Sequence, residues 1–185
     1  KYHMETNGQL FVVVGPSGSG KDTLLKKVIN KIPNSILVKR YITRKKDIKN
    51  EDHYSISIKN FEDKISKKFF FIYWKAHGFS YGIPFKEIKK IEQGKKVIFN
   101  GSRKILFKIK KKVNNVKIIN ITASSTIIKR RLVNRAREDK KSIIKRIKRK
   151  INLLPKNTIT IINNKSISIG TNKLKKIILA EWKIF

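Results

Sequence analysis

Gly15-Pro16-Ser17-Gly18-Ser19-Gly20-Lys21-Asp22-Thr23 follows an apolar stretch at 10–14 and precedes an amphipathic run. Strand, glycine-rich loop and helix in that order read as a phosphate-binding loop. The glycines leave backbone N–H groups free to point at phosphate oxygens, the helix presents its positive end, and Lys21 is long enough to reach β- and γ-phosphates. A nucleoside triphosphate is the expected ligand, with all nine residues of the run in its cradle. One letter departs from the motif: the position after the lysine, usually a Ser or Thr that ligates Mg²⁺, is Asp22, and the hydroxyl moves to Thr23. A carboxylate so close to a triphosphate repels it unless a divalent cation lies between them, so Asp22 and Thr23 are the expected metal-side residues.

The 185 residues suit one domain with room for a small inserted subdomain. The absence of cysteine excludes disulfides, thiolate zinc sites and cysteine nucleophiles. No apolar segment is long enough for a membrane span or a signal peptide, so a soluble cytoplasmic protein without a membrane partner is expected. Lys1-Tyr2-His3 ahead of Met4 reads as an appended stretch and is left out of the fold reading. The net charge of +34, from 46 Lys+Arg against 12 Asp+Glu, would ordinarily point to nucleic acid. Here lysine is spread over every segment beside abundant isoleucine and asparagine, so a solvated lysine surface is the favoured reading and no specific nucleic-acid partner is expected. Arginine occurs only nine times, at 40, 44, 103, 130, 131, 135, 137, 146 and 149. In a chain that writes lysine for generic charge, arginine marks places where a planar five-donor fork is needed, above all on phosphates.

The remaining text alternates in the manner of an α/β fold with a parallel sheet. Strand 10–14 leads through the loop to a helix over 21–32, ended by Pro33. Short β-like pieces at 54–58 and 69–74, with an amphipathic stretch at 61–65 between them, read as an insertion. A helix over 85–92 lies between Pro84 and Gly94, followed by strand 97–99, a helix over 102–111 and strand 116–121. Helix 124–135, a charged break at 136–140 and helix 142–153 precede Pro155. Strand 158–162, the turn Asn163-Asn164 and a helix over 172–182 close the chain.

Four constellations outside the loop carry possible chemistry. Arg40 and Arg44 lead to Glu51-Asp52-His53-Tyr54, which reads equally as a site for an acceptor bearing phosphates and hydroxyls or as an exposed basic loop. Trp74 to Gly82 interleaves aromatic and polar groups with glycine, and read alone it is also a plain hairpin with core aromatics. Asn100-Gly101-Ser102-Arg103 follows strand 97–99, at the carboxyl end where open α/β sheets place ligands, or is an ordinary βα turn. Arg130, Arg131, Arg135, Arg137 and Arg146 form an arginine face; the scarcity of arginine elsewhere favours a phosphate clamp over surface charge.

Taken together, these segments resemble the guanylate kinase-like P-loop kinases, and within them the ribose 1,5-bisphosphate phosphokinases. The likeness spans nearly the whole chain, motif by motif in order. It implies a three-layer P-loop NTPase fold with core segments at about 8–36 and 97–185, an acceptor-binding insertion at about 37–96 and an arginine-rich lid at about 131–146. It also implies ATP and Mg²⁺ as co-substrate and cofactor, and phosphorylation of ribose 1,5-bisphosphate to 5-phosphoribosyl 1-diphosphate in phosphonate breakdown. Lys21, Arg131, Arg135, Arg137 and Arg146 would act on the transferring group. Arg40, Arg44, Arg103, Tyr81, Asn100 and Ser102 would hold the acceptor, Glu51 and His53 its sugar hydroxyls, and Asn163 and Asn164 would approach the adenine. The oligomeric state stays open, a homodimer included.

Guanylate kinase is the rival within that fold. Reading guanine needs buried acceptors for its N1–H and amine, and the Phe-Ile-Glu-Trp-like tetrapeptide of that pattern is here Phe71-Ile72-Tyr73-Trp74, with Tyr73 at the acid. Its second pattern, Asp-x-Asp, is replaced by Asn100-Gly101-Ser102-Arg103, a cation where an acceptor belongs. A site that must pair a base loses orders of magnitude when its partners are missing, so the sugar bisphosphate is favoured over GMP. Guanylate kinase-like domains also serve as binding modules; those tend to lose the loop lysine, which is present here. The dispersed lysines generate one prediction: binding to single-stranded or duplex nucleic acid falls steeply with salt and shows no sequence preference. Sequence-selective binding that persists at high salt in a filter assay contradicts it.

Overall fold

The computed structural model describes residues 8–45, 52–134 and 154–180. Strand β1 (Gln9–Val14) carries five consecutive apolar residues, all buried, the mark of a parallel strand covered on both faces. It leads through the loop into α1 (Lys21–Ile29). Then come β2 (Ser35–Leu37), β3 (Tyr41–Ile42), β4 (Tyr54–Ser55), α2 (Ile58–Ser66) and the hairpin β5 (Phe70–Ala76) and β6 (Phe79–Pro84). The short α3 (Phe85–Ile88) passes into a 3₁₀ turn, and β7 (Lys96–Asn100), α4 (Leu106–Lys112), β8 (Val116–Thr122), α5 (Ser125–Asn134), β9 (Ile159–Ile162) and α6 (Ile167–Leu179) complete the order. Five strands form one sheet in the order β2-β7-β1-β8-β9, with β2 parallel to β7 and β8 parallel to β9. This is the α/β architecture of P-loop NTPases.

Contacts divide the chain into two compact units, Lys1–Val12 with Asn34–Lys117 and Val13–Pro33 with Ile118–Phe185. The first unit holds a second, four-stranded sheet ordered β4-β3-β6-β5. Its pairing sets Tyr54, Tyr41, Gly82 and Tyr73 in one row across the four strands. Gly82 has no side chain because the Phe70 ring lies there: a Cβ would come within 2.5 Å of it. Phe61, the buried residue of α2, stacks on Phe70 with ring centroids 4.7 Å apart, so an amphipathic helix closes the aromatic row. The hairpin turn has both central residues at positive φ, His77 at 54° and Gly78 at 77°, the backbone that a tight, right-twisted hairpin requires. In the second unit α1 and α6 pack together, burying Leu24, Leu25 and Val28 of one and Leu174 and Ile178 of the other.

Several expected elements shift. Helix 21–32 ends at Ile29 and continues only as turns to Ile32. Strand 54–58 shrinks to Tyr54–Ser55, because the Ser57 hydroxyl accepts from the Asn60 N–H and starts α2 at Ile58. The stretch 74–82 is a hairpin, its first strand running on to Ala76. Helix 85–92 is α-helical only to Ile88, and helix 102–111 begins with the 3₁₀ turn Arg103–Ile105. The last helix starts at Ile167, five residues before the expected 172, because Ser166 caps it by accepting from the Ile169 N–H. The break at 136–140 and helix 142–153 lie outside the described residues. No described helix is long and apolar enough to cross a membrane.

Burial in the aromatic row, then the neighbouring Tyr54 and Glu87, raises the Tyr41 phenol above its usual value of 10.0. A raised folded value means the stabilisation is complete below the unfolded value and is lost as pH climbs through the folded one. Tyr41→Phe is therefore expected to flatten the loss of thermal stability between about pH 9.5 and 11. Parallel melting-temperature profiles for the two proteins would show that this phenol does not sense folding.

Candidate functional site

The loop is built by close approach. Gly15 sits at φ 147°, and a Cβ there would come within 1.9 Å of the Ile121 carbonyl oxygen, so only glycine lets the chain turn against the end of β8. Lys21 folds its ammonium back over the loop, donating to the Gly15 and Pro16 carbonyls at 2.9 and 2.8 Å. The Ser19 N–H donates to the Pro16 carbonyl at 3.3 Å; Ser19 is fully buried, and its hydroxyl has no hydrogen-bond partner in the structure. Gly20 is the N-cap of α1 and supplies no side-chain cap. Asp22 and Thr23 stand in that first turn.

Arg131, on α5, spreads its guanidinium over the outer side of the loop. It donates to the carbonyls of Ser19 at 3.2 Å, Gly18 at 3.5 Å and Asn163 at 3.1 Å. Asn163 is buried and turns its amide to the Ser19 carbonyl at 2.8 Å. Asn164 accepts from the Ser124 N–H at 2.8 Å, at the entry to α5. Both side chains of the expected adenine pair thus have local hydrogen bonds to this framework. Arg135, Arg137 and Arg146 lie outside the described residues, as does Glu51.

The first unit gathers the acceptor candidates. Arg40 donates to the Asn100 carbonyl at 3.1 Å and lies 5.5 Å from the centroid of the Tyr81 ring, which is itself stacked on Trp74 at 5.4 Å and 9°. A guanidinium held by a carbonyl and a ring face keeps its fork in one orientation. Arg44 lies 5.9 Å from the Phe79 ring. Its carbonyl accepts from the Ser55 hydroxyl at 2.7 Å and lies 3.3 Å from Nε2 of buried His53. Ser102 accepts from the Lys104 N–H and opens the 3₁₀ turn that carries Arg103. Burial pulls the Arg103 guanidinium below its ordinary value, a penalty on its charge that a neighbouring anion would offset.

Strand alternation sets the faces of the hairpin side chains. Trp74 pairs with Tyr81, whereas Tyr73 pairs with Gly82, so Tyr73 lies on the opposite face from Tyr81, half-exposed beside Phe70. The residue beside Tyr81 is Trp74. Two glycines flank the Asn163 amide: Gly20 of the phosphate loop and Gly170, which sequence reasoning passed over. A Cβ on either would approach it within 2.6 or 2.7 Å, and Gly170 carries no motif signal.

Comparison with known proteins places this geometry. A guanylate kinase family model matches residues 7–181. The chain is 33% identical over 174 residues to ribose 1,5-bisphosphate phosphokinase PhnN of Psychromonas ingrahamii, covering 91% of this chain and 89% of that one. It is 37% identical over 145 residues to the PhnN of Rhizobium etli, covering 77% and 74%. A bifunctional ribose 1,5-bisphosphokinase-thymidine phosphorylase of Azorhizobium caulinodans is 33% identical over 177 residues; 94% of this chain matches 25% of that protein, so the chain spans about a quarter of its length. Among solved structures, guanylate kinase from Anaplasma phagocytophilum superposes with a TM-score of 0.69 at 18% identity, covering 95% of this chain and 87% of that one, a likeness of fold.

Because Gly15 meets backbone rather than a yielding side chain, Gly15→Ala is expected to destabilise the protein by more than about 2 kcal/mol in chemical denaturation. A change under about 0.5 kcal/mol would mean that the loop relaxes without strain.

Proposed function

The chain belongs to the guanylate kinase family, and from that premise we propose that it transfers the γ-phosphoryl group of ATP to the 1-phosphate of ribose 1,5-bisphosphate, yielding ADP and 5-phosphoribosyl 1-diphosphate. The observation that carries this reading is Arg40, pinned between the Tyr81 ring and the Asn100 carbonyl. The strand end beside it reads Asn100-Gly101-Ser102-Arg103, cationic where a guanine reader needs carboxylates. Trp74, not an acid, stacks on Tyr81. Curated relatives named for this activity, at 31–37% identity, support the same choice.

The chemistry makes modest demands. A phosphate oxygen of the acceptor is already a nucleophile at neutral pH; it bonds to the γ-phosphorus while the bond to the β–γ bridging oxygen breaks and its electrons leave with ADP. No general base is needed, and positioning with charge stabilisation supplies the rate. In this reading Lys21 and the loop amides hold the donor phosphates. Arg40, Arg44 and Arg103 hold the acceptor's phosphates, and His53 with Glu51 meets the sugar side. Arg131 and, outside the described residues, Arg135, Arg137 and Arg146 act on the transferring group. Asp22 and Thr23 are oxygen donors of the type Mg²⁺ takes and would hold the ion, which would supply charge neutralisation at the donor phosphates. Freely diffusing reactants of this kind suit a cytoplasmic enzyme.

A coupled ADP-release assay tests the reading. Ribose 1,5-bisphosphate is expected to exceed GMP in kcat/KM by about 10²-fold or more, and Lys21→Ala to lose nearly all turnover. Comparable values for GMP would make the chain a guanylate kinase. Turnover of neither acceptor would make it a binding module.

A further inference from the structure

We infer that Asn163 is a positioning residue for the phosphate loop: its side-chain amide holds the Ser19 carbonyl and thereby aims the Gly20 N–H at the bound phosphate. The inference rests on the kinase reading only in taking a nucleoside triphosphate as the ligand of the loop.

Asn163 lies just beyond β9 and is tied down from several sides. Its N–H donates to the Thr122 carbonyl at the end of β8, at 2.7 Å, and its own carbonyl accepts from Arg131 at 3.1 Å. Nδ2 donates to the Ser19 carbonyl at 2.8 Å in a buried setting. The amide fits between two glycines. A Cβ on Gly20 would come within 2.6 Å of Nδ2, and one on Gly170 within 2.7 Å of Oδ1. Gly170 sits inside α6, where alanine would favour the helix, so its presence there has a packing reason: room for this amide beside Leu24.

The consequence follows from peptide geometry. Among the described residues the peptide bonds are trans, and in a trans peptide C=O and N–H point in opposite directions. Two donors, Nδ2 of Asn163 and the Arg131 guanidinium at 3.2 Å, fix the Ser19 carbonyl toward the framework, which fixes the Gly20 N–H away from it. Gly20 at φ 91° occupies a backbone region available to glycine and costly for other residues, so the peptide needs these partners to keep its orientation. A preorganised N–H costs no reorientation when the phosphate arrives.

The test separates a role on the phosphates from one on the adenine. Binding of inorganic tripolyphosphate and of a non-hydrolysable ATP analogue, each with Mg²⁺, is measured by calorimetry at a salt concentration that screens the lysine surface, with Lys21→Ala as the baseline for non-specific binding. Asn163→Asp, which keeps the shape and loses the donor, is expected to weaken both ligands by a similar factor of about ten. Gly170→Ala, which displaces the amide without altering it, should weaken both in the same way and remains informative if Asn163→Asp does not fold. Loss of ATP-analogue affinity with tripolyphosphate unchanged would assign Asn163 to the adenine and overturn the inference. Wild-type affinity for both ligands in either folded variant would overturn it too. Acceptor turnover is read separately: a wild-type protein that binds both ligands but does not phosphorylate ribose 1,5-bisphosphate refutes the proposed reaction and leaves this inference standing on its binding data.

Discussion

A loop that offers its N–H groups to an anion has few of them left to hold itself together. Its folded shape must come from its carbonyls and from close packing. Lys21 takes the carbonyls of Gly15 and Pro16, Arg131 those of Gly18 and Ser19, and Asn163 shares Ser19. The glycines then allow backbone contact where a methyl group would collide, Gly15 against Ile121 and Gly20 against Asn163. The cationic side chains around the loop therefore have two uses: they stabilise carbonyls that the turn leaves pointing outward, and they keep positive charge beside an anion site. A neutral side chain in place of Lys21 or Arg131 would forfeit both.

The first unit meets a related constraint by other means. Arginine there is held by a carbonyl or an aromatic face: Arg40 by Asn100 and Tyr81, Arg44 by Phe79. A carbonyl and a ring face each restrict the orientation of a planar guanidinium. Lysine, a point charge on a flexible stem, gains less from a flat ring. Arg40, Arg44 and Arg131 all engage groups suited to a planar fork.

The legible part of the fold was the part written locally. The apolar run of β1, the glycine spacing and the amphipathic start of α1 each follow from neighbours within a few residues, and so do the strands β7 and β8. Helix starts were less legible where a serine could cap one turn or the next, as Ser57 and Ser166 show. The face taken by Tyr73 could not be read at all. Period-two alternation fixes faces only once register is known, and the register here shifts at an irregularity between Phe70 and Ile72, so one residue moves Tyr73 away from Tyr81 and brings Trp74 to it. Asn163 was singled out as a ligand contact because it follows a strand in a motif. Its packing between Gly20 and Gly170 depends on residues 143 and 7 positions away, information that no local pattern carries.

Surface charge and site selectivity must be separate properties in such a chain. A net charge of +34 attracts every polyanion in the medium, and a field of that kind raises encounter rates without distinguishing a sugar bisphosphate from a nucleotide or an RNA. Discrimination has to reside in groups whose positions are fixed before the ligand arrives, because a mobile lysine adapts to any phosphate at similar cost. In the proposed reading, groups of that kind are the Asn163 amide at the phosphate loop, the Arg40 fork against Tyr81 and the half-buried Arg103. Salt that screens the lysine surface therefore leaves their geometry intact, and selectivity should rise as non-specific attraction falls.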